Sequence, residues 1–109
     1  MPWTVEFLNE TVAEELDALP TQMKARFEWI VNLIRENGLE DVGMPYVRHL
    51  QDKLWEMRMK GRDGISRALY VTAHEKRVVV VRVFVKKTQK TPPREIKLAL
   101  ERAKELEDE

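Results

Sequence analysis

Residues 54–90 read LWEMRMKGRDGISRALYVTAHEKRVVVVRVFVKKTQK, and their period decides the fold. In LWEMRMK the apolar Trp55, Met57 and Met59 alternate with Glu56, Arg58 and Lys60, the two-residue period of a half-buried strand. The glycines of GRDG suit a turn. ISRALYVT then resumes the alternation, with Ile65, Arg67, Leu69 and Val71 on one side and Ser66, Ala68, Tyr70 and Thr72 on the other. AHEK makes a second turn, and RVVVVRVFV follows with little polar interruption, the composition of a central strand buried on both faces. The segment predicts a three-stranded antiparallel meander.

Working outward, Trp3 to Leu8 alternates Trp3, Val5 and Phe7 with Thr4, Glu6 and Leu8 and predicts a short strand. Asn9 or Thr11 can cap a following helix, whose early Glu10, Glu14 and Glu15 offset the positive end of the helix dipole. After Pro20, TQMKARFEWIVNLIRENG sets Met23, Phe27, Ile30, Val31 and Ile34 at steps of three and four, with Gly38 as the stop. This predicts an amphipathic helix of about five turns. Trp29 and Leu33 form a second apolar row on it, suited to a second packing surface or a partner. Leu39 to Leu50, with Gly43 and Pro45, reads as a connecting loop. Beyond the meander, Thr91, Pro92 and Pro93 open a last helix striped by Ile96, Ala99, Leu100, Ala103 and Leu106. The order β-α-α-β-β-β-α predicts an α+β domain over residues 1–109, with two N-terminal helices and a C-terminal helix against one face of a curved antiparallel sheet.

Composition narrows the function. A chain of 109 residues holds one core, and 43% hydrophobic with 35% charged residues suits a globule with a charged surface. No apolar run reaches the roughly 18–20 residues of a membrane span, and MPWTVEFLNE lacks the pattern of a secretory leader, so a cytoplasmic location is expected. The absence of cysteine excludes disulfides, thiol catalysis and cysteine-containing zinc sites. The net charge of zero hides a division: residues 1–53 carry −5, residues 54–90 carry +7 and residues 91–109 carry −2. A basic middle third suggests a positive face and a polyanionic partner, unless the sheet merely solvates itself with Lys and Arg.

LWEMRMKGRDGISRALYV with VVVVRVFVKKTQKTPPREIKLALERAKEL resembles the C-terminal half of the HigB-like branch of the RelE/ParE toxin superfamily, including its phage-derived proteins. FVKKTQKTPPREI is the most specific part, and the element order matches over essentially the whole chain. The resemblance implies the toxin of a type II toxin–antitoxin module. It implies a ribosome-dependent endoribonuclease that cuts translated messenger RNA, needing neither metal nor cofactor. The implied partners are the ribosome, messenger RNA and an antitoxin of the HigA-like helix-turn-helix kind, with DNA met only through that antitoxin. The ParE-like branch has the same architecture and poisons DNA gyrase, which is the competing expectation.

Cleavage of RNA through its own 2′-OH needs that hydroxyl deprotonated, a charged transition state stabilised and a proton delivered to the departing oxygen. Cations preorganised on strands serve the second need best. Arg58, Lys60, Arg67, Arg82, Lys86, Lys87 and Lys90 lie on or just beyond the expected strands. By strand parity Arg58 and Lys60 share a face, and Arg67 lies opposite Tyr70. The resemblance matches Arg67 and Tyr70 to an R-x-x-Y strand, Phe84, Lys86 and Lys87 to an F-x-K-K element, and Lys90 to the last lysine of K-K-x-x-K-x-P. It implies Lys86 and Lys87 as stabilisers of the scissile phosphate, Arg67 as a second phosphate contact and Tyr70 as a base-stacking or proton-donating group. Arg58, Lys60, Arg82, Phe84 and Lys90 would bind RNA. Each has a plainer alternative: Phe84 and Tyr70 as core, Arg67 paired with Asp63 or Glu56, the lysines as solvated strand ends. His49, in the expected loop, and His74, in the AHEK turn, are the two histidines to weigh, yet neither stands out as general base.

Overall fold

In a computed structural model, which describes residues 2–62, 64–86 and 90–107, the period changes translate into β1 (Thr4–Phe7), α1 (Glu10–Asp17), α2 (Thr21–Asn37), a 3₁₀ turn (Leu39–Asp41), β2 (Val47–Gln51), β3 (Leu54–Gly61), β4 (Gly64–Ala73), β5 (Arg77–Lys86) and α3 (Pro93–Glu107). The fold is α+β, with a five-stranded sheet ordered β1-β5-β4-β3-β2. Asn9 rather than Thr11 caps α1, its Oδ1 accepting the Val12 N–H at 3.1 Å. Gly38 ends α2 with φ +85°, where an L side chain would be strained.

Three expectations need correction. The stretch expected to be loop contains β2, whose Val47, Arg48 and His49 pair antiparallel with Met57, Glu56 and Trp55. VRHLQ has only one β-branched residue, so its strand state comes from the edge of β3 and not from its own propensity. The sheet is mixed: β1 runs parallel to β5, with Thr4 opposite Arg77 and Phe7 opposite Val80. The helices cover both faces. Val12, Met23, Phe27, Ile30, Val31 and Ile34 of α1 and α2 pack on Met57, Met59, Ala68, Tyr70, Val78, Val80 and Val83. Ala99 and Ala103 of α3 pack on Leu54, Leu69, Val71, Val79, Val81 and Phe84 of the opposite face. The doubly buried β5 is what requires this second cover.

A bulge sets which side chains share the α3 face. Leu69 pairs with Arg82 but Tyr70 with Val80, leaving Val81 as an extra residue on β5. Simple alternation would put Val80, Arg82 and Phe84 on one face. The bulge instead carries Arg82 and Phe84 to the side of Val79 and Val81, and turns Val83 toward α1 and α2. β5 outruns β1 here, and its open edge is capped by side chains: the Val83 N–H donates to Glu15 Oε1 at 3.1 Å and Arg102 Nη1 donates to the Val81 carbonyl at 2.9 Å.

Candidate nucleic-acid interface

α3 packs over the centre of its face of the sheet, and toward the β3–β4 turn the same face carries cations in register. Residues directly opposite on neighbouring strands share a face about 5 Å apart. One rung reads Arg48, Glu56, Leu69, Arg82; the next reads Arg58, Arg67, Phe84; the next reads Lys60, Ile65, Lys86. Six cations and one carboxylate thus lie on three successive rungs. The apolar partners of those strands point into the core beneath, so this polar parity is what the hydrophobic alternation leaves for the surface.

Arg67 and Glu56 lie at the centre, both fully buried. Arg67 Nη1 donates to Thr91 Oγ1 at 2.6 Å, and the Thr91 hydroxyl donates to Glu56 Oε2 at 2.6 Å. The guanidinium nitrogen lies 3.6 Å from the same carboxylate oxygen, and Arg48 Nε approaches Glu56 Oε1 at 3.5 Å. Burial pulls the Arg67 guanidinium below the ordinary arginine value; Glu56 opposes that pull, and Arg58 and Arg48 add to it. Of the two pairings open in the sequence, Glu56 is this carboxylate partner, while Asp63 lies outside the described residues.

Arg58 is half-buried, Lys60 is exposed and Lys86 is half-buried at the end of β5. None of these three has an ion-pair partner among the described residues. Lys90 is exposed ahead of α3, and Lys87 lies outside the described residues. Arg82 is engaged elsewhere: Nε and Nη2 donate to Glu95 at 2.9 and 3.2 Å, and Nη1 lies 2.8 Å from Glu15. Its hydrogen bonds to Glu95 raise it above the ordinary arginine value against the effect of burial, and the charge of Glu15 adds to the rise. Phe84 is nearly buried in the α3 core, with the Arg82 guanidinium 5.7 Å from its ring centre.

Tyr70 corrects the expectation of a stacking or proton-donating group. It is fully buried beneath α1 and α2, on the far face from Arg67, and burial pushes its hydroxyl well above the ordinary phenol value. The histidines are equally remote. His49 lies edge-on to Trp55, on the parity away from the cations, with Nε2 2.7 Å from the Asp52 carbonyl. His74 lines a cleft with Lys53, Arg77 and Leu106 at the other end of the sheet. Among the described residues no three His, Asp or Glu side chains group as a metal site. Arg48 escaped the sequence reading because its strand did; Thr91 was legible only as a helix opener.

The family described as phage derived protein Gp49-like matches residues 14–104. No curated protein matches the chain. Solved structures share its architecture, and two of them are RelE proteins. An arginine-to-alanine double mutant of the E. coli toxin RelE in the free state aligns with a TM-score of 0.58 and 20% identity, over 94% of this chain and 98% of that one. The archaeal RelE–RelB complex from Pyrococcus horikoshii aligns with a TM-score of 0.55 and 18% identity, over 78% of this chain and 96% of that one. At these identities the likeness shows a common fold, with the sheet and helices of RelE.

Proposed function

The chain belongs to the phage-derived Gp49-like family, and from that premise we propose that it is the toxin of a type II toxin–antitoxin module, a metal-independent endoribonuclease acting on messenger RNA at the ribosome. The observation that carries this reading is the run of cations on the three rungs from Arg48 to Lys86, interrupted by one buried carboxylate. RNA is a polyanion, and its affinity for such a face comes from neutralised phosphates.

On this reading Arg58 and Lys60 hold the backbone, and Lys86 with Lys87 stabilises the scissile phosphate as charge builds on it. Arg67 acts from below. Its donors are aimed by Thr91 and Glu56, so it contributes fixed positive charge and keeps the neighbouring side chains in place. Lys90 lies at the rim and meets the strand as it leaves. Arg82 and Phe84 support this surface from its α3 side, through Glu95, Glu15 and the core. No histidine faces the cations, so proton transfer falls to a lysine or to ribosomal groups.

A cognate antitoxin is the expected partner, in keeping with the RelE–RelB complex among the structural neighbours. A HigA-like protein with an acidic segment would neutralise the cationic face. The expected location is the cytoplasm, where ribosomes are; among the described residues no helix is long and apolar enough to cross a membrane.

The test is induction in bacteria of the wild type and of the Lys86→Ala/Lys87→Ala variant, with mapping of messenger ends. New cuts inside translated messages, lost in the variant, are expected. Growth arrest with intact messages and a DNA-damage response would refute the nuclease reading in favour of a gyrase poison.

A further inference from the structure

The cationic face does not stop at the edge of the sheet. The β2–β3 ladder ends at Met57, with one further backbone bond from the Arg58 N–H to the Tyr46 carbonyl at 2.9 Å, so beyond it Lys60 reaches an open edge bordered by α2 and the loop before β2. Two clefts meet there, of about 480 and 370 Å³, and both are lined by Arg26 and Lys60. Such volumes fall within the usual range of about 300–1,000 Å³ for ligand clefts. The first adds Trp29 and Arg62, the second Tyr46 and Arg58, and neither is lined by a carboxylate among the described residues.

Trp29 is 41% exposed, high for so large an apolar ring. Its orientation is held from two sides: Tyr46 meets it edge-on with ring centres 4.9 Å apart, and the Arg26 guanidinium lies 5.0 Å from its centre. An indole fixed in this way loses little side-chain entropy when a planar group stacks on it. Arg26, Arg58, Lys60 and Arg62 have no ion-pair partner among the described residues. Aromatic rings interleaved with cations along a groove are the arrangement that holds single-stranded nucleic acid. A docking helix would instead want an apolar groove, and the first cleft offers beside Trp29 only Ala25, Gln22, Gly61 and the cations.

We propose that this edge is a second RNA contact, where a base of the single strand leaving the sheet face stacks on Trp29 while flanking phosphates lie against Arg26 and Arg62. The proposal rests on the RNA-directed reading of the sheet face and extends it around the edge of β3.

The test is fluorescence anisotropy of a labelled 12-nucleotide oligoribonucleotide with the full chain over a salt series, beside messenger mapping in cells. Trp29→Ala should weaken binding about tenfold, the loss of one stacked base, and Trp29→Phe should restore most of it. Arg26→Ala/Arg62→Ala should reduce the slope of log affinity against log salt by about 1.4, at roughly 0.7 per phosphate contact on a single strand. Wild-type affinity and slope in folded Trp29→Ala and Arg26→Ala/Arg62→Ala proteins would overturn the contact, even if messages are cut. So would variants that keep RNA binding but lose affinity for an acidic peptide, since the edge would then serve a protein partner. RNA binding that falls as expected while messages stay intact in wild-type cells would sustain the contact and sink the nuclease.

Discussion

Glu56→Gln tests the buried centre of the site. Glutamine keeps the shape of the side chain and an acceptor for the Thr91 hydroxyl, but removes the negative charge 3.6 Å from the Arg67 guanidinium. Both side chains are fully buried, and deleting one partner of a buried pair costs about 3–5 kcal/mol because the remaining charge loses that share of its compensation. The retained Thr91 bond and the partly solvated Arg48 place the loss near the lower limit, about 3 kcal/mol. Against a total stability of about 5–15 kcal/mol that is a large fraction. At about 4 °C or more per kcal/mol for a domain of this size, Tm should fall by at least roughly 12 °C. Urea unfolding followed by circular dichroism at neutral pH reads the change directly. The charge origin is checked by a cycle with Arg67→Met: the double variant should be at least about 1 kcal/mol more stable than the sum of the single losses. A Glu56→Gln protein within about 0.5 kcal/mol of wild type, or a cycle that is additive, would refute the argument.

Other outcomes follow from the same structure. Glu15 accepts the Val83 N–H and pairs with Arg82 and Arg102; burial pushes its pKa up, but the Arg102 and Val83 hydrogen bonds and the arginine charges outweigh it and leave the folded value lowered. Its stabilisation is therefore complete above the ordinary carboxylate range and is lost as pH falls through and below that range. Acid unfolding of Glu15→Gln should show a shallower loss of stability than wild type below about pH 4.5, and parallel acid limbs would contradict this. Tyr70→Phe removes a buried hydroxyl that has no hydrogen-bond partner among the described residues, so it should be neutral or stabilise by up to about 1 kcal/mol and leave messenger cleavage intact; loss of cleavage in a folded variant would return Tyr70 to the site. Lys60→Ala and Lys86→Ala should change unfolding free energy by no more than about 0.5 kcal/mol, while each lowers the salt slope of RNA binding by about 0.7. Gly61→Ala places a Cβ 2.9 Å from Met23 Cγ, where α2 crosses β3, and should cost about 1–3 kcal/mol by urea titration.

Much of the molecule was legible from its periods. The two-residue alternation of β3 and β4, the doubly apolar β5 and the three-and-four stripe of α2 are local patterns, because a side chain's face follows from the repeat of its own backbone. That local logic is why Arg58 and Lys60 could be placed on one face before any pairing was known. β2 was hidden, since VRHLQ becomes a strand only through the hydrogen bonds that β3 offers it. The covering of both faces by helices was hidden too, because an apolar stripe records that a helix is buried and says nothing of which face buries it.

The site itself divides along the same line. Which cations exist, and that they crowd into residues 54–90, is a property of the chain alone. Which β5 residues join the Arg67 face depends on one extra residue in that strand. Without the Val81 bulge, alternation would set Arg82 and Phe84 with Val80 under α1 and α2; with it, they stand beside Arg67 on the α3 face. Likewise Arg67 could be free, paired with Asp63 or paired with Glu56 until the strands were in register and Thr91 closed over it. Periodicity is written in neighbouring residues, whereas register, bulges and buried ion pairs are agreements between segments far apart in the chain. Only the packed sheet, in which each such choice must satisfy all the others, settles them.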